Sequence, residues 1–423
     1  MMRVIEVDGD WAALGGAAPI GRLLVDRVRG KENFGFSYRD QWLRSSQCRS
    51  LDPELQFFAG PQYPSDPQRA NFGLFLDSSP DRWGRMLMQR REAFRANVEG
   101  RDPQRLMESD YLLGVHDEQR LGGLRLRTSP DGPYLSAETE LAAPPWTALR
   151  DLETAAWTLQ SETEINSKKL SAALQLLVAP GSSIGGARPK AGVVDEQGKL
   201  WIAKFPGRND DHDVGAWEQV TAKLARLAGI QISDSSAQKF GHSHHTFLTK
   251  RFDRETTAGV RQRRHFASAM TMLGYRDGDN QSVGASYLEI AEWIIQNQKE
   301  TDEDLQQLWR RIVFSICVSN TDDHLRNHGF LLTPNGWRLS PAYDLNPDPL
   351  GAGLSLNISE VDNSLSLELA HEVAEFFRIA SVSAKEISQQ VKDAVSEWPR
   401  IASGLGIRKS EQSKMKTAFR VSN

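Results

Sequence analysis

Between Ser319 and Pro347 the chain reads SNTDDHLRNHGFLLTPNGWRLSPAYDLNP, which crowds carboxylates and amides around a short apolar stretch. Such oxygens are the ligands that hard divalent cations prefer. Asp322 stands five positions before Asn327, and Asp344 follows further on. At that spacing a phosphotransferase sets a proton-accepting Asp beside a metal-binding Asn, with a second metal-binding Asp downstream. The same residues could instead cap helix ends and shape turns, the commoner fate of Asp and Asn, and the local sequence leaves both readings open.

A hairpin would bring the two metal positions together. GFLLT and WRLSP flank Asn335-Gly336, the signal for a two-residue type I′ turn. A turn centred there places Asn327 directly opposite Asp344 unless a bulge shifts the register. His324 and His328 invite a zinc reading, but they lack the further ligands and the Glu of a zincin motif. The run GHSHHTF at 241–247 sits where a solvated turn belongs.

Upstream, GSSIGGARPK misses the Walker A pattern, because Ala187 stands where that motif requires Lys, and it is not G-x-G-x-x-G either. Small residues with open backbone N–H groups can still wrap phosphates; the other reading of Gly181 to Arg188 is a flexible loop. The strand after it turns Trp201, Ala203 and Phe205 to one face and Ile202 and Lys204 to the other. Lys204 is expected to meet nucleotide phosphates, with Glu218 on the following helix holding it as kinases hold theirs, while an exposed edge-strand Lys is the plain alternative. Its place after the Gly-rich loop favours the functional reading.

These pieces need a scaffold. The chain has 423 residues, a net charge of −4, 39% hydrophobic and 25% charged residues, a composition that fits a globular protein and argues against non-specific nucleic-acid binding by the whole chain. The two cysteines are Cys48 and Cys317, the latter inside the apolar run RIVFSICV, so buried thiols in a reducing compartment are expected. The N-terminus has no apolar signal region and no stretch is long enough to span a bilayer, which points to the cytoplasm.

Strand patterns in GRLLVDRV and NFGFSY, helix patterns in DRWGRMLMQRREAF and ESDYLLGV, and turn signals over 128–146 define an N-terminal α/β subdomain of residues 1–145. A helix at about 147–162, the Gly-rich loop, two strands, the helix DVGAWEQVTAKLARLAGI with Gly229 past its end, and two further strands make a strand-rich lobe over 146–260. From 261 to 423 the pattern is mainly helical. The predicted fold class is α+β, a two-lobed protein-kinase-like fold. Trp42, Trp83, Trp157 and Trp293 are expected to fill cores.

In that order, GSSIGGARPK, WIAKFP, KRFDR, SNTDDHLRNHGF and LSPAYDLNP, together with FLDSSPDRWGR and DYLLGV near the N-terminus, resemble the HipA family of serine/threonine-kinase toxins from bacterial toxin–antitoxin systems. YDL in place of D-F-G and TDDH in place of H-R-D are departures from general kinases that this family shares. The resemblance implies Asp322 as catalytic base, Asn327 and Asp344 as Mg2+ ligands and Lys204 as the ATP lysine. It places Gly185, Gly186 and Ala187 at the phosphates and Lys250, Arg251 and Phe252 at the adenine hinge. Ser183, or its neighbour Ser182, would be autophosphorylated, silencing the enzyme.

It further implies an aminoacyl-tRNA synthetase as substrate and a HipB-like helix-turn-helix antitoxin as partner, with DNA reached only through that antitoxin and no membrane involved. Two other readings stand beside it: a small-molecule phosphotransferase, and a catalytically idle partner of a DNA-binding antitoxin.

Overall fold

Along Ala18–Val28 (β2) Leu23 and Val25 are buried while Arg22 and the last residues face solvent, the period-two pattern of a strand with one covered face. In the computed structural model, which describes residues 2–137, 143–161, 168–177, 186, 188–257 and 260–421, β2 lies between Arg3–Gly9 (β1) and Lys31–Tyr38 (β3). Leu124–Arg127 (β4) pairs with the other edge of β1, giving the order β3-β2-β1-β4. Between Val28 and Lys31 the chain reverses through Arg29 and Gly30, both at positive φ as a type I′ turn requires. By their contacts the residues divide into one unit of 1–209 with 240–267 and another of 210–239 with 268–423.

The first unit also holds the Gly-rich stretch and its strands. Helix α1, Arg82–Val98, starts at Asp81, whose side chain accepts the Gly84 N–H, and α2 spans Glu108–Gly114. Trp83 and Leu87 of α1 share a core with α3 (Leu149–Ser161) and α4 (Lys168–Leu177). Ala191 and Val193 of β5 (Lys190–Val194), Ala203 of β6 (Leu200–Lys204) and Leu248 of β7 (Thr246–Lys250) line it from the sheet side. Burying one large apolar side chain such as Phe205 contributes about 2–3 kcal/mol.

Trp201, Ala203 and Phe205 face this core, as the alternation predicts. Helix α4 was not anticipated, although Leu170, Ala173, Leu174 and Leu177 carry helical spacing. A two-stranded ribbon, Arg254–Thr257 (β8) with Val260–Arg263 (β9), follows β7.

Two tryptophans, Trp42 and Trp83, are buried as expected. Trp157 departs from the expectation. It lies at the margin of α3's buried stripe and stacks on His242, ring centroids 4.1 Å apart. The histidine-rich turn is thereby held to α3, where the Glu153 carboxylate accepts the N–H groups of Gly241 and His242 and the Thr246 hydroxyl.

In the second unit, Val214–Leu227 (α5) buries Trp217, Val220 and Leu224 and begins at Asp213, whose carboxylate accepts the Ala216 N–H. It ends in a Schellman arrangement: Ile230 N–H reaches Ala225 O and Gly229, at φ +77°, takes the left-handed position. Helix α6, Tyr287–Asn297, opens with a Ser286/Glu289 capping box. Helix α7, Thr301–Val318, is buried through most of its second half, including Cys317, which is a free thiol. Trp293 on α6 is half-buried against Phe330, centroids 4.0 Å apart. Four helices close the chain, Leu367–Glu372 (α8), Ser381–Ser396 (α9), Trp398–Gly404 (α10) and Lys409–Met415 (α11). Trp217, Trp398 and Phe419 cluster where α5 meets α10 and the C-terminal stretch.

The hairpin exists, but its register corrects the sequence expectation. Gly329–Thr333 (β10) pairs with Gly336–Leu339 (β11) through Phe330↔Leu339, Leu331↔Arg338, Leu332↔Trp337 and Thr333↔Gly336. The two turn residues are therefore Pro334 and Asn335, not Asn335 and Gly336. Proline lacks the N–H that a ladder position would need, and its fixed φ suits the first corner of a turn, so the reversal moves one residue back. Continuing this register puts position 327 opposite Ala342, so the hairpin does not oppose Asn327 and Asp344. Among the described residues no helix is long and apolar enough to cross a membrane.

Candidate active site

The end of α7 shapes the first part of the site. Ser319 terminates it at φ +49°, and Asn320 N–H returns to Ser315 O, turning the next residues away from the helix axis. Two adjacent carboxylates then part company. Asp323 is 3% exposed and accepts the Tyr287 hydroxyl at 2.7 Å and the Ser315 hydroxyl at 3.2 Å. His328 Nε2 lies 3.0 Å from its other oxygen. Burial alone would raise this carboxyl, but His328 beside it and the hydrogen bonds from the Tyr287 and Ser315 hydroxyls hold it below the usual range. Asp322 is exposed.

The main chain of Asp322 is tied instead. Its carbonyl accepts the His324 N–H at 3.0 Å and Asn327 Nδ2 at 2.8 Å, closing a short 3-10 turn over Leu325–Asn327. This bond commits the amino side of the Asn327 amide. Oδ1, the end that can ligate a cation, is the one this bond does not engage.

Asp344 is positioned by a strip running beside this turn. Asn346 N–H donates to Asn320 Oδ1 at 3.1 Å, Asp348 N–H to Ser319 O at 3.0 Å, and the Thr321 hydroxyl to Asp348 Oδ2 at 2.9 Å. The Tyr343 hydroxyl donates to Arg326 O at 2.6 Å, and Thr221 of α5 to Leu345 O at 2.5 Å. Asp344 itself sits at φ +59°, a left-handed conformation that costs a non-glycine residue about 1 kcal/mol or more and persists because its neighbours are fixed. Asn346 Nδ2 lies 3.3 Å from Asp344 Oδ1.

Asn327 is thus set by its bond within the turn, and the strip carrying Asp344 by hydrogen bonds to Ser319, Asn320, Thr321 and Arg326, rather than by the hairpin. Among the described residues no group of three His, Cys, Asp or Glu side chains gathers that could hold an ion. As ligands, Asn327 and Asp344 would offer one amide oxygen and one carboxylate, a pair that would fit Mg2+, an ion that takes one or two protein oxygens and fills the rest from phosphates and water.

In the first unit, Lys204 ends β6, with Lys190 and Phe247 as its pairing partners on the flanking strands. Its ammonium lies 5.8 Å from the centre of the Phe247 ring. Gly186 takes φ +105°, open to glycine alone in practice. Ser182, Ser183, Gly185 and Ala187 lie outside the described residues. Lys250 is half-buried opposite Trp201. Phe252 packs on Phe266 at 5.8 Å. Glu218 is buried on α5, in the second unit.

Arg251 is buried and spent on structure: its guanidinium meets both Asp253 oxygens and donates to Gln119 O and Arg120 O. Burial would raise Asp253, but Arg251 and Arg254 beside it, with the Gly122 N–H, hold it well below the usual carboxylate range. Buried cations escaped the sequence reading, Lys190 among them. Lys190, at the exit of the Gly-rich stretch, is 1% exposed with its Nζ 2.9 Å from Asp81 Oδ2. Its burying carboxylate is 109 residues away in the chain, which no local pattern signals.

Residues 182–398 match the model of the HipA-like C-terminal domain. A Haemophilus influenzae protein named as a kinase is 26% identical over 181 residues, which is 39% of this chain and 52% of that protein. The serine/threonine-protein kinase toxin HipA of Shewanella oneidensis is 24% identical over 187 residues, 39% of this chain and 43% of the toxin. The chain therefore spans about half the length of the curated relatives it matches. The structure of Shewanella oneidensis HipA, solved with HipB and its operator DNA, superposes with a TM-score of 0.63 at 16% identity, covering 96% of this chain and 94% of that one. This likeness establishes the fold, the kinase-like α+β class expected from the sequence.

Proposed function

The chain belongs to the HipA-like C-terminal domain family, and from that premise we propose that it is an ATP- and Mg2+-dependent protein serine/threonine kinase acting as the toxin of a toxin–antitoxin pair. What carries the reading is the division of labour at 322 and 323. One carboxylate is buried and hydrogen-bonded to the scaffold; the other is exposed, with its own carbonyl fastened to Asn327.

Asp322 would accept the proton of a substrate serine or threonine hydroxyl as that oxygen attacks the γ-phosphorus of ATP. The bond from phosphorus to the β–γ bridging oxygen breaks in line and ADP leaves. Mg2+, held by Asn327 Oδ1 and Asp344, would neutralise charge on the phosphate oxygens. Lys204, by the family resemblance, would meet nucleotide phosphates with its positive charge. Arg251 contributes to nucleotide binding only through the main chain of the Lys250–Phe252 segment, because its side chain is engaged elsewhere.

The partner we propose is a HipB-like antitoxin, since the solved relative was captured with HipB on operator DNA. The resemblance further suggests an aminoacyl-tRNA synthetase as substrate, autophosphorylation at Ser183 or Ser182 as the silencing event, and action in the cytoplasm. The experiment is a bacterial lysate supplied with γ-labelled ATP and the purified protein. Label in a protein band supports the reading. Label confined to small metabolites replaces it with a small-molecule phosphotransferase, and no label at all removes the kinase assignment.

A further inference from the structure

The Lys190–Asp81 pair joins positions 109 residues apart, from the exit of the Gly-rich stretch to the N-terminus of α1, and both side chains are nearly sealed from solvent, 1% and 2% exposed. An isolated ammonium could not be buried there; the carboxylate makes it tolerable. Asp81 divides its oxygens between two tasks, Oδ1 accepting the Gly84 N–H that starts α1 and Oδ2 meeting Lys190. Two residues further, Trp83 Nε1 donates to the Lys190 carbonyl at 3.0 Å. The residue is therefore gripped at both its side chain and its main chain by the same helix end.

What this grip reaches is the end of the β5–β6 strand pair that carries Lys204. Lys190 and Lys204 are directly opposed in the β5–β6 ladder, so their side chains leave the sheet on the same face. Pro189 O accepts the Phe205 N–H at 2.8 Å, fastening the same exit to the end of the Lys204 strand. Gly186 comes so close that a Cβ there would stand 2.9 Å from Lys190 Nζ. The buried ammonium is thus the surface against which Gly186 rests.

We propose that Lys190, neutralised by Asp81, is a positioning residue for the nucleotide's phosphates: it holds Gly186 and the Pro189–Lys190 exit in register with Lys204. The proposal rests on the kinase reading above. It gives the N-terminal motif SSPDRWGR a role in that reading, since Asp81 and Trp83 are the residues that grip.

The test is the double variant Asp81→Asn/Lys190→Met, which removes both charges together and keeps an oxygen for the α1 cap, so no unpaired ion is left buried. Binding of ATP with Mg2+ and of adenosine is measured by calorimetry on the full chain, beside thermal melting. The expected result is ATP affinity weakened about tenfold or more, the scale of one charge-assisted contact. Adenosine, which has no phosphates, should bind as to the unaltered protein. A second variant, Gly186→Ala, should reproduce the ATP loss with a smaller effect on melting.

Equal weakening of ATP and adenosine, or a fall in melting temperature with no change in ATP affinity, would show a purely structural pair and overturn the proposal. Failure of the unaltered protein to bind ATP would instead strike the kinase reading itself.

Discussion

Asn327 Nδ2 donates to the main-chain oxygen of Asp322 at 2.8 Å, so the proposed base and the proposed metal ligand are parts of one hydrogen-bonded turn. Changing either end should disturb the other. Asn327→Ala removes both the bond and the amide oxygen proposed as ligand. It should raise the Mg2+ concentration needed for half-maximal phosphoryl transfer by about tenfold or more. A magnesium titration of the initial rate checks this; an unchanged titration would remove Asn327 from the metal site.

The neighbouring carboxylates should separate cleanly on stability. Asp323→Ala strips three partners from a buried carboxylate site and should cost about 3 kcal/mol in urea unfolding. Asp322→Ala, at an exposed position, should stay within about 0.5 kcal/mol of the unaltered chain. The reverse order would mean that the wrong carboxylate has been assigned to chemistry.

Asn320 is one of the links between the turn and the strip that carries Asp344. It is buried, accepts from Asn346 N–H and lies within 3.4 Å of the Ser315 hydroxyl. Asn320→Ala should lower kcat by about ten- to a hundredfold through loosened placement of Asp344, with KM for ATP changed less. By contrast, Gly336→Ala strains the hairpin tip at φ +120° and should cost about 1 kcal/mol of stability while leaving kcat nearly intact. Steady-state kinetics of the two variants, read beside their melting curves, distinguishes a site set by the strip from one set by the hairpin.

His265 supplies a pH signature in the first unit. It is buried against Trp11, and burial pushes its imidazole down to about 3. Between there and its unfolded value near 6.5, the unfolded chain binds a proton that the folded chain does not. Stability must therefore rise with pH across that window, by at most about 1.4 kcal/mol per unit, and be fully present above it. Denaturant unfolding at pH 5 and pH 7 should show the difference, and His265→Phe should reduce it.

How much of this was readable in the sequence depends on what each feature needed. The order of motifs and the pattern of Trp201, Ala203 and Phe205 required only spacing, and the fold class followed from them. The hairpin register required knowing that Pro334 would take the turn corner, a competition that the Asn-Gly signal conceals. The split between Asp322 and Asp323 is invisible in TDDH, because it is made by Tyr287 on another helix and by Ser315 one turn back. Lys190 carries no local mark of burial, because its partner Asp81 lies 109 residues away. Helix α4 carried a legible stripe, but its apolar residues fall in a short stretch just before the Gly-rich loop, where turn signals dominate.

The most direct measurement is transfer of label from γ-labelled ATP to protein by the purified chain and by its Asp322→Asn form, with both shown to melt alike and to bind ATP alike. The account predicts that the variant keeps its nucleotide and its fold yet loses transfer by a factor on the order of 10²–10⁴, the range a positioned base supplies. Transfer at the unaltered rate by a folded Asp322→Asn protein would contradict it.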